Sequence, residues 1–121
     1  MGKAMHIQMF KDSDTGMVFT AGARIFSEGD DPAGLMFVVV DGEVDILAKG
    51  ALVDTIGPGS CLGEVGLVDK GPRTATAVAR TDCRLEPIDA RRFEFMVQQT
   101  PYFALEMLET LAARLRRERA L

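Results

Sequence analysis

With 121 residues, 47% of them hydrophobic and 26% charged, the chain is sized and composed for one globular core rather than two. The formal net charge of −4 argues against a nucleic-acid-binding surface, and a single histidine, His6, cannot build an imidazole metal cluster. No apolar run reaches the ~18–20 residues of a membrane span and no basic-then-apolar leader opens the chain, so the expected location is the cytoplasm.

Residues 1–16 carry little pattern. Met5, Ile7, Met9 and Phe10 have the character to pack on a domain, but Lys11 to Gly16 reads as a loop, so this stretch is expected to be an N-terminal cap. From Met17 the signals become strand-like and closely spaced. Met17 to Thr20 and Arg24 to Phe26 are short strands separated by Ala21-Gly22, and Ser27 to Pro32 is a cluster of turn residues. Leu35 to Val40 is a continuous β-prone run, suited to a strand with little solvent on either face. Asp41-Gly42 turns the chain into Glu43 to Ala48, which alternates polar and apolar. Lys49-Gly50 turns it again into Leu52 to Ile56, and Gly57-Pro58-Gly59 breaks that strand. Thr74 to Arg80 and Cys83 to Ile88 read as two more strands. Many short strands with turns every eight to twelve residues predict a sandwich or barrel.

After Ile88 the period changes. Asp89 is placed to cap a helix from Ala90 to about Gln99, with Phe93, Met96 and Val97 on one face. Pro101 breaks it and suits the first turn of a second helix, whose predicted apolar stripe is Ala104, Leu108, Leu111, Ala112 and Leu115. Arg114, Arg116, Arg117 and Arg119 crowd its end and read as cations satisfying the helix dipole. Cys61 and Cys83 read as buried small hydrophobes rather than as a disulfide.

The stretch from Cys61 to Thr76 carries the chemistry. Gly63-Glu64 opens it and Pro72-Arg73-Thr74-Ala75 closes it, so one carboxylate and one guanidinium lie nine residues apart across a glycine-rich segment. A carboxylate only accepts, so it calls for a hydroxyl; a guanidinium only donates, and its planar fork matches phosphate oxygens. Gly63, Gly66 and Gly71 allow backbone N–H groups to approach an anion closely.

Leu62-Gly63-Glu64-Val65-Gly66-Leu67 followed by Pro72-Arg73-Thr74-Ala75-Thr76 resembles the phosphate-binding cassette of cyclic nucleotide-binding domains, with Leu62 in place of the usual aromatic. The pattern of Ala21-Gly22, Ile25-Phe26, Glu28-Gly29-Asp30 and Val40 to Val44 resembles the strand region of the same family, so the likeness covers about residues 17–118. It implies a mainly β fold, a β-roll or jelly-roll (double-stranded β-helix) over 17–88, with a short cassette helix and C-terminal helices over 89–121. It also implies that Glu64 accepts from the ribose 2′-hydroxyl, that Arg73 neutralises the cyclic phosphate, and that Gly63, Val65, Gly66, Thr74 and Ala75 complete the ligand contacts. The ligand is then cAMP or cGMP, with cAMP expected ahead of cGMP; a hydroxyl at Thr74 does not decide between them.

The family's domains signal to something else, so the expected partner is an effector protein, acting in trans or fused in a longer chain. A homodimer through the C-terminal helix would also serve the apolar stripe, and neither direct nucleic-acid contact, a membrane nor a cofactor is expected. A cupin-like β-barrel enzyme needs histidine and carboxylate metal ligands that one histidine cannot supply, and a Ser, Cys or Lys nucleophile lacks an imidazole base. A binding-incompetent relic is opposed by the intact Glu64 and Arg73. The expected function is a non-catalytic cyclic nucleotide sensor.

Overall fold

A computed structural model describes residue 10, residues 13–67 and residues 71–120, with side chains to 116. Most of the expected N-terminal cap, including Met5, His6, Ile7 and Met9, and cassette residues 68–70 lie outside the described residues. The strands are β1 (Met17–Phe19), β2 (Arg24–Phe26), β3 (Met36–Asp41), β4 (Val44–Ala48), β5 (Ala51–Ile56), β6 (Cys61–Leu62), β7 (Thr76–Ala79) and β8 (Cys83–Ile88). They form two antiparallel four-stranded sheets, ordered β1-β8-β3-β6 and β2-β7-β4-β5. Helices α1 (Ala90–Gln99) and α2 (Tyr102–Ala120) follow. The mainly β roll with two C-terminal helices is the architecture the sequence predicts.

The continuous apolar run of β3 has a direct explanation. Successive strand residues point to opposite faces. Met36, Val38 and Val40 join a cluster with Cys61, Ile88, Met96, Phe103 and Met107, on the helix side. Phe37 and Val39 join a second cluster with Val44, Ile56, Leu62, Ala77 and Leu85, between the sheets. β3 is thus buried on both faces and has no solvent-facing row to fill with polar residues.

Sequence and structure differ at three places. Cys61–Leu62 is a short strand paired with Phe37 and Val38, too brief to show a period. Thr74 and Ala75 lie before β7, which begins at Thr76. The largest correction is on α2. Its buried face is Phe103 and Met107, with Leu111 half-buried beside them. Leu108 and Leu115 of the predicted stripe are 60% and 53% exposed, and Ala112 is exposed with them. Leu105, Leu108, Ala112 and Leu115 form a second apolar row, spaced three, four and three residues apart; the sequence pattern merged the two rows into one.

Helix α1 starts as expected, with the Asp89 carboxylate accepting from the Arg92 amide at 2.8 Å. Its first turn is also held by a buried acid. Glu86 of β8 is fully buried on the helix side of the first sheet, and its Oε2 accepts from Arg92 Nη1 at 2.7 Å, from Ser13 Oγ at 3.0 Å and from Thr15 Oγ1. Burial works against the Glu86 charge, but the Thr15, Arg92 and Ser13 donors outweigh it and hold the carboxyl below its ordinary range. The loop before β1 and the start of α1 are therefore pinned to the sheet through one carboxylate. An Arg92→Ala variant is expected to lose roughly 1–3 kcal/mol at neutral pH, because the buried carboxylate loses its charged donor. A depressed carboxyl contributes stability above its unfolded pKa and loses it as pH falls through the folded one. The gap between wild type and variant should therefore narrow in thermal melts carried from pH 7 down below about pH 4.5. A gap constant with pH would show that Arg92 acts by packing alone.

Candidate ligand-binding site

A cavity of about 480 Å³ opens between the second sheet, the cassette and α2, within the range that small ligands occupy. Phe26, Ile46, Ile56 and Leu62 give it apolar walls. Gly63, Glu64, Val65, Gly66, Arg73, Thr74 and Ala75, the residues singled out from the sequence, all line it. Val65 and Thr74 are exposed at its edge, whereas Gly66 and Arg73 are buried.

Arg73 is set from two sides. Its backbone N–H donates to the Asp30 carbonyl at 2.7 Å and its carbonyl accepts from the Gly29 amide at 2.8 Å, which docks this residue on the turn after β2. Its guanidinium donates to the carbonyls of Leu35 at 2.9 Å, Gly63 at 3.1 Å and, more weakly, Pro32 at 3.4 Å. The Phe26 ring lies 4.1 Å beneath it. Every one of these partners is uncharged. Arg73 Nε is buried without a hydrogen-bond partner, and the side chain makes no ion pair among the described residues. Burial pushes its pKa down, opposed by the more distant Asp30 and Glu64 charges. A cation only 9% exposed and without a counter-ion among the described residues makes an anion favourable in the adjoining cavity.

The cassette glycines make that arrangement fit. A Cβ on Gly63 would stand 2.6 Å from Arg73 Nη1, and one on Gly66 would stand 2.8 Å from the same atom. Gly63 also has φ of +71°, a conformation that favours glycine. The sequence assigns these glycines to ligand approach; the structure adds that they clear the space the guanidinium fills. Arg73 also cross-links β2, the loop after it and the cassette.

Glu64 begins a single 3-10 turn, Glu64–Leu67, closed by the Gly66 amide donating to the Gly63 carbonyl at 2.9 Å. Its carboxylate does not pair with Arg73. Glu64 Oε2 accepts instead from Nη1 of Arg114 on α2, at 2.8 Å, with both side chains largely buried at 16% and 20% exposure. Arg114 also donates to the carbonyl of Cys61. Burial disfavours the Arg114 charge, but Glu64, together with Cys61 and Asp54, leaves its pKa raised. Sequence reading placed Arg114 among the dipole-satisfying cations of the helix end. Its spacing from Phe103, Met107 and Leu111 was the signal to follow, because it puts a guanidinium on the buried row.

Beneath this pair lies Cys61, whose Sγ is 3.5 Å from Met107 Sδ. Burial, with the nearby Glu64 charge, pushes its thiol up to about 12, so it stays protonated at neutral pH. Cys83 is also a free, buried thiol. Among the described residues no group of three His, Cys, Asp or Glu is placed to hold a metal ion, and no helix is long and apolar enough to cross a membrane.

The site combines a cation unneutralised by any described residue, a carboxylate and an apolar wall, which suits a ligand carrying an anion, a hydroxyl and a flat apolar part. Known proteins agree in kind. Over 72 residues the chain is 42% identical to a cAMP-dependent protein kinase regulatory subunit of Eremothecium gossypii, a match covering 60% of this chain and 16% of that protein. Over 104 residues it is 30% identical to a CRP-like cAMP-activated global transcriptional regulator of Mycobacterium tuberculosis, covering 82% and 46% respectively. The chain thus spans less than half the length of these two relatives. In three dimensions it is similar to the Thermus thermophilus catabolite activator protein, with a TM-score of 0.75 and 28% identity over 87% of this chain and 51% of that one. Residues 17–100 match the cyclic nucleotide-binding domain family, with both halves of the cassette inside the match, and the chain belongs to that family.

Proposed function

We propose that the domain formed by residues 17–121 binds a 3′,5′-cyclic nucleoside monophosphate, cAMP ahead of cGMP, as a regulatory sensor that reports through α2. The observation that carries this reading is Arg73, a buried guanidinium with only carbonyl and aromatic partners among the described residues, on the wall of a cavity that the Glu64 carboxylate also lines. A cyclic phosphate supplies the negative charge that no described residue brings to Arg73, with Thr74, Ala75 and Gly66 lining the same cavity. The ribose 2′-hydroxyl, the one free hydroxyl of such a ligand, supplies the donor a carboxylate needs. The order of cAMP over cGMP is supported by the cAMP-named relatives.

Reporting follows from the Glu64–Arg114 pair. A 2′-hydroxyl approaching Glu64 competes with Arg114 for the same oxygen, so ligand and helix bias one another. That coupling needs two states of α2 within a few kcal/mol of each other. The exposed row Leu105, Leu108, Ala112 and Leu115 is the surface that would meet an effector, in trans or fused, or a second copy of the chain. The sensor is read as non-catalytic, with Glu64 and Arg73 as binding groups and the Cys61 thiol kept protonated.

Isothermal titration with cAMP and cGMP tests the reading: binding of at least one is expected, and silence toward both overturns it. Arg73→Lys keeps the charge but loses the fork, and is expected to weaken cyclic nucleotide binding by about ten- to a hundredfold. Because Arg73 also cross-links three segments, a thermal melt must accompany each titration. Unchanged affinity in a folded variant would remove Arg73 from the phosphate.

Glu64→Gln should weaken cAMP binding much more than 2′-deoxy-cAMP binding, since the proposed partner is the 2′-hydroxyl itself. Equal losses would take Glu64 out of that role. Arg114→Ala removes the ion pair of α2 with the cassette. Without ligand it should speed both alkylation of Cys61 and amide exchange across residues 102–116, measured against wild type at the same pH. Rates equal to wild type would show that α2 is held by Phe103 and Met107 alone.

A further inference from the structure

The Phe26 ring lines the cavity and also lies under the charge of Arg73, whose guanidinium carbon is 4.1 Å from the ring centroid. An irregularity in β2 puts it there. Arg24 pairs with Val78, so an even antiparallel register would set Phe26 opposite Thr76; a shift sets it opposite Ala77 instead. Residues directly opposite one another share a face, and Ala77 is buried between the sheets. The ring is stacked in turn with Phe37 of β3, at 6.2 Å between centroids and 26° between planes. A Cβ on Gly63 would lie 3.4 Å from its edge, so the ring also borders the cassette.

Carbonyls and ring hold the cation in different ways. The N–H groups of a guanidinium point outward in its plane, and its faces carry no donor. The carbonyls of Leu35, Gly63 and Pro32 therefore engage its edges, whereas Phe26 covers a face. A π face attracts the cation without supplying a counter-charge. Two carboxylates, Asp30 and Glu64, lie near enough to act on Arg73 electrostatically, yet neither forms an ion pair with it. A buried cation gains by turning to a carboxylate, and such a pair would cancel the charge that an anionic ligand needs.

We infer that Phe26 is a positioning residue for the ligand's anion, holding the Arg73 guanidinium on the cavity wall and away from the protein's own carboxylates. This rests on the cyclic nucleotide reading, and the ring acts through Arg73 rather than on the ligand. A side chain of similar bulk without a π face fills the same space but does not hold the cation. Part of the Arg73 population then pairs internally, and the ligand has to displace a carboxylate before it binds.

Fluorination of the ring tests this, because fluorine withdraws electron density from the π face while nearly preserving its shape. Proteins with 4-fluoro-, 3,5-difluoro- and 3,4,5-trifluorophenylalanine at position 26 should bind cAMP progressively more weakly in isothermal titration. Phe26→Leu marks the end of the series, with an expected loss of about three- to thirtyfold, the range of a desolvated cation–π contact. Where Phe26→Leu folds poorly in a thermal melt, the fluorinated proteins, which keep the ring, carry the comparison. In an Arg73→Gln background the same series should be flat, since no cation is left to hold. An affinity that stays constant or rises with fluorination shows that the ring packs or touches the ligand itself, and overturns the inference alone. A decline that persists without the Arg73 charge does the same. Failure of wild type to bind either cAMP or cGMP overturns the cyclic nucleotide reading, and this inference with it.

Discussion

The guanidinium of Arg73 is the part on which the rest of the site depends. It reaches the carbonyls of Leu35 and Gly63 while lying on the Phe26 ring, so one side chain joins β2, the loop leading to β3 and the opening of the cassette. Carbonyl dipoles and an aromatic face stabilise a buried cation without cancelling its charge. A carboxylate partner would have made a more self-sufficient structural element and a poorer anion site. The same constraint propagates into the sequence, because neither Gly63 nor Gly66 can take a side chain without displacing Nη1.

The second cation of the cavity is treated in the opposite way. Arg114 has its carboxylate, Glu64, and that pair joins the last helix to the cassette across fifty residues of chain. Pairs as buried as this one lose desolvation energy comparable to what their attraction returns, so the net hold stays small. A small hold is what a competing hydroxyl can overcome. Under the proposed function the two guanidiniums would divide the work: Arg73 would leave a charge for the ligand to satisfy, and Arg114 would occupy the group that a ribose asks for.

Much of the fold was legible because its signals are local. The turn glycines, the alternation along Glu43 to Ala48, the Asp89 cap and the break at Pro101 each act within a few residues, and the strands other than β6 and both C-terminal helices lie within a residue or two of where those signals put them. The cassette was legible because its two halves lie close in sequence and all of its chosen residues line one cavity. What was hidden depends on long-range placement. Arg114 looks like any helix-end arginine until α2 is laid over β6, and Asp54 looks like a polar strand residue until its register with Ile46 turns it inward. The merged stripe on α2 failed for the same reason. Leucines alone do not reveal which row faces the sheet, whereas Phe103 and Met107, the bulkier and more adaptable side chains, took the buried one.

Those two rows give α2 its mechanical meaning under the proposed function. A helix of nineteen residues is a rod about 28 Å long, so a displacement at Arg114 is carried along its whole length. The rod cannot pass that displacement to α1 without cost, since Glu86 and Arg92 fix the first turn of α1 to the sheet and Met96 is buried in the core. Under the proposed function the compliant point would be the junction at Thr100 and Pro101, where the Thr100 amide still bonds the Met96 carbonyl but proline offers no donor to continue the ladder. Motion about that junction would shift Met107 across Cys61 and re-aim Leu105, Leu108, Ala112 and Leu115 together, because they share the same rigid element. A change at one carboxylate oxygen in the cavity would in this way become a change in the apolar surface offered to a partner.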